Sequence, residues 1–233
     1  MQQIDDAKTC IIESRIILND IKVIYYSNLY QDTLPSSLKI KIKNFLENCR
    51  SSLEYIANYT FYKYCSNNYT EKELQRLSNG IYFPIKNSKI VFDKCISSKY
   101  KGLDQNIPIL NLFESIQPFN SEWLEHLKIL SNKNKHVNFT KQNRYESGHI
   151  DYMQDSYGNT FSNITSNGCK HIVTLNGKPV TMANISSNPF INSFIGNIYV
   201  EFVFDETNTP ILNTLFNILH GVEEFISKYE KLL

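Results

Sequence analysis

Two long runs of apolar residues at three- and four-residue spacing, parted by a proline, most constrain what this chain can fold into. In the first, from about residue 4 to 30, Ile4, Ala7, Ile11, Ile17, Leu18, Ile21 and Ile24 recur at that spacing. In the second, from about 37 to 65, Leu38, Ile42, Phe45, Cys49, Leu53, Ile56 and Thr60 form one stripe. An α-helix turns about 100° per residue, so each run gathers its apolar groups on one face. Between the runs, "DTLPSS" holds Pro35, which disfavours helix at Leu34, and serines that can cap the second helix. Two long amphipathic helices on so short a connection are expected to pack antiparallel.

Downstream, "NNYTEKELQRLSNG" predicts a short helix with Thr70 as N-cap and Gly80 just past its end, and "IYFPI" predicts extended chain around Pro84. Short helices are expected near 90 to 100 and 107 to 116. Ser121 then opens a helix with the stripe Trp123, Leu127 and Leu130. After residue 140 the pattern changes to period-two alternation. "HIVTLNGKPVTM" signals a hairpin, because Asn176-Gly177 tolerates the positive φ values of a type I′ turn, and "GNIYVEFVF" predicts another strand. The last helix is predicted with Thr209 at the N-cap and Pro210 in its first turn. The expected fold is therefore α+β and a single domain over 1–233. A mainly α-helical body (1–140) carries a small antiparallel β insertion (145–204), and a C-terminal helix (209–233) packs on the body.

Charge narrows the function classes. With 24 basic against 23 acidic residues, there is no global drive toward nucleic acid or an anionic membrane. The cysteines Cys10, Cys49, Cys65, Cys95 and Cys169 are scattered, with no Cys-x-x-Cys pair and no His at metal spacing, as expected of small buried hydrophobes in a reducing compartment. His126 and His136 stand ten apart without further ligands, so no metal is expected. The chain has no Gly-rich phosphate loop, His-Glu-x-x-His or Gly-x-Ser-x-Gly, and no cofactor is expected. Its start is acidic and charges interrupt every apolar run, which predicts a soluble, cytoplasmic protein without a membrane partner.

Two polar clusters remain. In "LSNKNKHVNF", a helix continuing to Val137 places Asn132 and His136 one turn apart, with Lys128 and Lys135 on neighbouring rows. Such a face suits an anion such as phosphate, with His136 available for proton transfer near neutral pH. The same register buries Asn134 beside Leu127 and Leu130, so the alternative is a helix that breaks near Asn132, its cations complementing the helix dipole. In "NCRSSLEYIANY", Arg50 lies at the edge of the apolar stripe and Glu54 four residues on. Arg50 there either offers its guanidinium to a carboxylate or phosphate, or forms a structural ion pair with Glu54 or across helices.

The segments "CRSSLEYIA", "YFPI", "IQPF" and "LSNKNKHV" stand in the order and at the spacing of a widespread family of uncharacterised bacterial proteins. That family's pattern is "RSaLdh-A", "FPI", "QPY" and "L-N-DKHR", and residues 44 to 140 resemble it. The chain departs from the pattern at Glu54-Tyr55, where Asp-His is usual, and at Asn134 and Val137, where Asp and Arg flank the Lys-His pair. The helix pair, with Arg and His motifs on separate helices, is similar to the HEPN superfamily. The superfamily's Arg-to-His spacing has one formal match here, "RYESGH" from Arg144 to His149, in predicted strand. The resemblance implies a non-catalytic, homodimeric interaction or scaffold module. In it, Asn132 to His136 lock helices together, and Glu54 is the structural partner of Lys135 or His136. The alternative is a metal-independent ribonuclease of a toxin–antitoxin or anti-phage system, with RNA or a cognate antitoxin protein as partner. Two protomers then bring His136, Lys135, Asn132 and Arg50 together as catalytic residues, His136 assisting attack of the ribose 2′-hydroxyl.

Overall fold

Helices α1 (Gln2–Ser27) and α2 (Ser36–Thr60) are formed by the two apolar runs. The computed structural model describes residues 2–31, 33–77, 80–136, 140–168, 172–181 and 184–233, the side chains of 134–136 apart. Lys41 bonds Asp20 at 2.6 Å and the Cys49 thiol bonds the Ser14 hydroxyl at 3.6 Å. The partner number falls along α1 as it rises along α2, so the pair is antiparallel. Every residue of the predicted α2 stripe, from Leu38 to Thr60, is buried. On α1 the buried row is Ile4, Ala7, Ile11, Ser14, Leu18, Ile21 and Tyr25, with Ile17 and Ile24 at its margin. This helix stops three residues before the predicted end, where the Asn28 amide turns back to the Ile24 carbonyl at 2.8 Å.

The chain divides into two compact units. Met1–Val23, Ser36–Thr140 and Leu212–Leu233 form a helical unit, and Ile24–Pro35 with Lys141–Ile211 form a β unit. Past Thr60, in the helical unit, α2 widens into a π turn (Phe61–Cys65) and then a 3₁₀ turn (Ser66–Asn68). There follow α3 (Glu71–Leu77), α4 (Lys89–Lys99), α5 (Ile107–Ser115) and α6 (Glu122–His136). The chain ends in α7 (Ile211–Glu230).

Thr70 caps α3 as predicted. Its N–H donates to the Glu73 carboxylate at 2.8 Å, and its hydroxyl accepts the Glu73 N–H at 3.4 Å. Helix α7 runs antiparallel to α1, with Arg15 bonded to Glu223 at 2.6 Å and Lys8 to Glu230. The core of this unit is aromatic. Phe83 and Phe113 lie 4.8 Å apart between ring centroids, and Phe225 sits 5.4 and 5.7 Å from them, each ring buried. Helix α6 packs on α2 through buried Leu124, Leu127 and Leu130. Trp123 is only half-buried and lies over Gly221 of α7, where a Cβ would stand 2.4 Å from the indole.

In the β unit, β1 (Gln142–Asp155), β2 (Thr160–Asn167), β5 (Ile191–Phe204) and β6 (Thr209–Pro210) form an antiparallel sheet in the order β2-β1-β5-β6. Strands β3 (Val173–Leu175) and β4 (Lys178–Val180) form the predicted hairpin, with φ of 51° at Asn176 and 71° at Gly177. Ile150 pairs with Gly196 and Tyr152 with Ile195, so Asp151 bulges out and the inward face of β1 changes parity. Glu146 and Ile150 are buried before the bulge, Met153 and Asp155 after it. Gly196 sits at this irregularity because a Cβ there would be 2.3 Å from the His149 carbonyl. Ile150, Met153, Leu175, Val180 and Ile185 form the core beneath.

The start of the C-terminal helix also differs from the prediction. Thr209 and Pro210 pair with Phe204 and Val203 as a sheet edge, and α7 begins at Ile211. Proline has no N–H to give a ladder, and an edge strand tolerates that loss. The fold is α+β: mainly helical, with an antiparallel pair of long helices, a small antiparallel sheet and a C-terminal helix. Among the described residues, no helix is long and apolar enough to cross a membrane.

Candidate functional site

Arg50, Glu54 and Asn58 rise along one edge of α2 at steps of four, which stacks them one helical turn apart. Arg50 Nε donates to Glu54 Oε1 at 2.5 Å, and the two side chains are only 17% and 21% exposed. The second Glu54 oxygen accepts the backbone N–H of Phe83. Asn58 donates to the Ile81 carbonyl at 3.2 Å and to the Glu54 carbonyl at 2.9 Å. The stretch "IYFPI" needs this support. Pro84 keeps it extended and leaves its polar backbone without a helical or sheet ladder, while Ile81, Phe83 and Ile85 are buried.

Further groups reach the same stretch from other elements. The Tyr100 hydroxyl, at the end of α4, donates to the Tyr82 carbonyl at 3.0 Å. Burial, and after it the Glu54 charge, push this hydroxyl well above its ordinary pKa, so it stays a donor. Gln117, fully buried, accepts the Lys86 N–H at 2.9 Å and donates to the Phe113 carbonyl at 2.9 Å. Lys128 of α6 donates to the Asn87 side chain at 2.6 Å. The segments "CRSSLEYIA", "YFPI" and "IQPF" are thus joined through bonds to one extended strand of chain, at Glu54, Phe83 and Gln117. The segment "LSNKNKHV" supplies the end of α6, packed on α2.

Arg50 and Glu54 are brought together as an ion pair on α2. Asn132 is exposed on α6, and α6 remains helical through His136, so the helix does not break near Asn132. The side chains of Lys135 and His136 lie outside the described residues, as does that of Asn134. His126, on the same helix, stands 3.9 Å from Glu122. The formal Arg144-to-His149 spacing lies on β1 rather than a helix, five positions apart and hence on opposite faces. Arg144 turns to Glu146 at 3.0 Å and to the carbonyls of Tyr30 and Gln31, while the His149 ring bonds Thr165 at 2.8 Å.

Burial raises the Cys49 and Cys65 thiols to about 12, which removes the thiolate a nucleophile needs. Among the described residues no group of three His, Cys, Asp or Glu is placed to hold a metal ion. Sequence reasoning missed Asn58, Tyr100 and Gln117. Asn58 continues the four-residue step of Arg50 and Glu54, and Gln117 precedes Pro118 in "IQPF", but their partners stand 23 and 31 residues away in the chain. The chain matches no protein-family model, no curated protein and no solved structure.

Proposed function

We propose that the chain is a non-catalytic, homodimeric interaction module of the cytoplasm, HEPN-like in its helix pair. Its motif residues hold the helical unit together rather than process a substrate. The observation that carries this is the use of Glu54: one oxygen holds Arg50, and the other holds the Phe83 N–H. A phosphate arriving at Arg50 must compete with a part-buried carboxylate whose removal also strands a backbone donor.

One observation favours the competing reading, a metal-independent ribonuclease of a toxin–antitoxin or anti-phage system. Helix α6 continues to His136, which keeps the backbone positions of Asn132 and His136 one turn apart. In that case His136 and Lys135, with Asn132 and Arg50, act on RNA across two protomers, and no cofactor takes part. Incubation of purified protein with RNA separates the two. The module leaves RNA intact in the wild type and in His136→Ala alike, and expression of either leaves growth unaffected. Cleavage by the wild type that disappears in His136→Ala overturns the module and establishes the nuclease.

A further inference from the structure

A second row runs along α1, on a side the core does not use. Ile12, Ile16 and Val23 are 57%, 53% and 70% exposed, and exposed Asn19 completes spacings of four, three and four. At 100° per residue this row lies roughly 135° around the helix from the buried one. Its repeat is that of a coiled-coil seam. The two margins of the row carry opposite charge. On one stand Lys8, Arg15 and Lys22 at steps of seven, the first two bonded to Glu230 and Glu223 of α7. On the other stand Glu13 and Asp20, also seven apart, Asp20 bonded to Lys41 of α2.

We propose that a second copy of this chain lies parallel along this row, about a two-fold axis that follows the seam. Parallel alignment sets the basic margin of one copy against the acidic margin of the other, with Lys8 opposite Glu13 and Arg15 opposite Asp20, five positions on. Antiparallel alignment sets Lys8, Arg15 and Lys22 against their own copies. Asn19 gives the same answer independently. In a parallel pair the two Asn19 amides share one layer, each supplying a donor and an acceptor to the other. In an antiparallel pair centred on the row, each faces Ile16 and is left unpaired, which is costly once buried. The step of seven that leads from Lys8–Glu230 to Arg15–Glu223 leads next to Lys22 and Phe216. That ring is 52% exposed and widens the apolar surface at this end.

The proposal rests on the homodimeric part of the function above and specifies its seam. Sedimentation equilibrium on the full chain, at concentrations up to ~100 µM, should give the mass of two chains. Ile16→Lys should raise the dissociation constant at least ~100-fold, because it buries a charge in the seam. Its circular dichroism should stay unchanged, since Ile16 is exposed within one copy. Asn19→Cys should form a disulfide-linked dimer under mild oxidation, above the background of the wild type. A monomeric wild type overturns both the seam and the homodimer. A dimer that survives Ile16→Lys overturns the seam and leaves the homodimer standing. A dimer weakened by Ile16→Lys, with no cross-link through Asn19→Cys, overturns the parallel alignment.

Discussion

The helical unit and the β unit keep their shapes by different means. In the helical unit, apolar stripes on regular helices meet around buried rings, and the extended stretch Ile81 to Ile85 is tied down by side chains of Glu54, Asn58 and Tyr100. In the β unit, backbone irregularities set the register: the bulge at Asp151 opposite Gly196, the Asn176-Gly177 turn, and the turn held by Asp155. The difference teaches where each unit is vulnerable. In the helical unit the greatest damage is expected from removing volume among the buried rings, and in the β unit from a Cβ that meets backbone at Gly196.

Substitutions sharpen this contrast. The largest loss is expected from Phe113→Ala, which empties a site ringed by Phe83, Phe225 and Tyr100 and should cost ~3–5 kcal/mol in a denaturant titration. Glu54→Ala should cost ~2–3 kcal/mol, because it frees a part-buried backbone donor as well as Arg50; a loss under ~0.5 kcal/mol contradicts the structural role given to this carboxylate. Gly196→Ala should cost ~1–3 kcal/mol, since the new Cβ meets backbone that cannot swing aside, and an unchanged unfolding midpoint shows that the bulge does not set the register.

The smallest effect is on acid stability. The Thr70 N–H, followed by the Thr70 hydroxyl and Lys101, holds the Glu73 carboxyl at about 2, below its ordinary 4.5. A depressed carboxyl contributes stability that is present above pH 4.5 and is lost as pH falls through the folded value. The difference in melting temperature between wild type and Glu73→Gln should therefore shrink below pH 4.5 and vanish near pH 2. Asp155 is shifted in the same direction, by Asn159 first, so acid loosens one turn in each unit.

How far the fold is legible in the sequence depends on the range of the forces involved. The α2 stripe, the Thr70 cap and the Asn176-Gly177 turn depend on neighbours a few residues away, and all three are present as predicted. Thr209-Pro210 has the local form of a helix start, but its pairing with Val203 and Phe204 across the sheet prevails. On α1 the helical repeat sets the apolar residues at 12, 16 and 23 on a second face, and the exposures show which of the two the core uses. At the candidate site, the Arg50–Glu54 pair is a spacing of four, visible in the chain. The partner that gives Glu54 its role is a backbone N–H 29 residues on, which leaves no mark in a sequence.

The central claim is that the Glu54 carboxylate is committed to the extended chain and not to a ligand. Hydrogen exchange at the Phe83 amide tests it most directly. The wild type should protect this amide, and Glu54→Ala should speed its exchange by ~10–100-fold relative to the core amides of α2. A Phe83 amide that exchanges at the same rate in both proteins means that Glu54 does not hold the strand and that Arg50 is free for other chemistry.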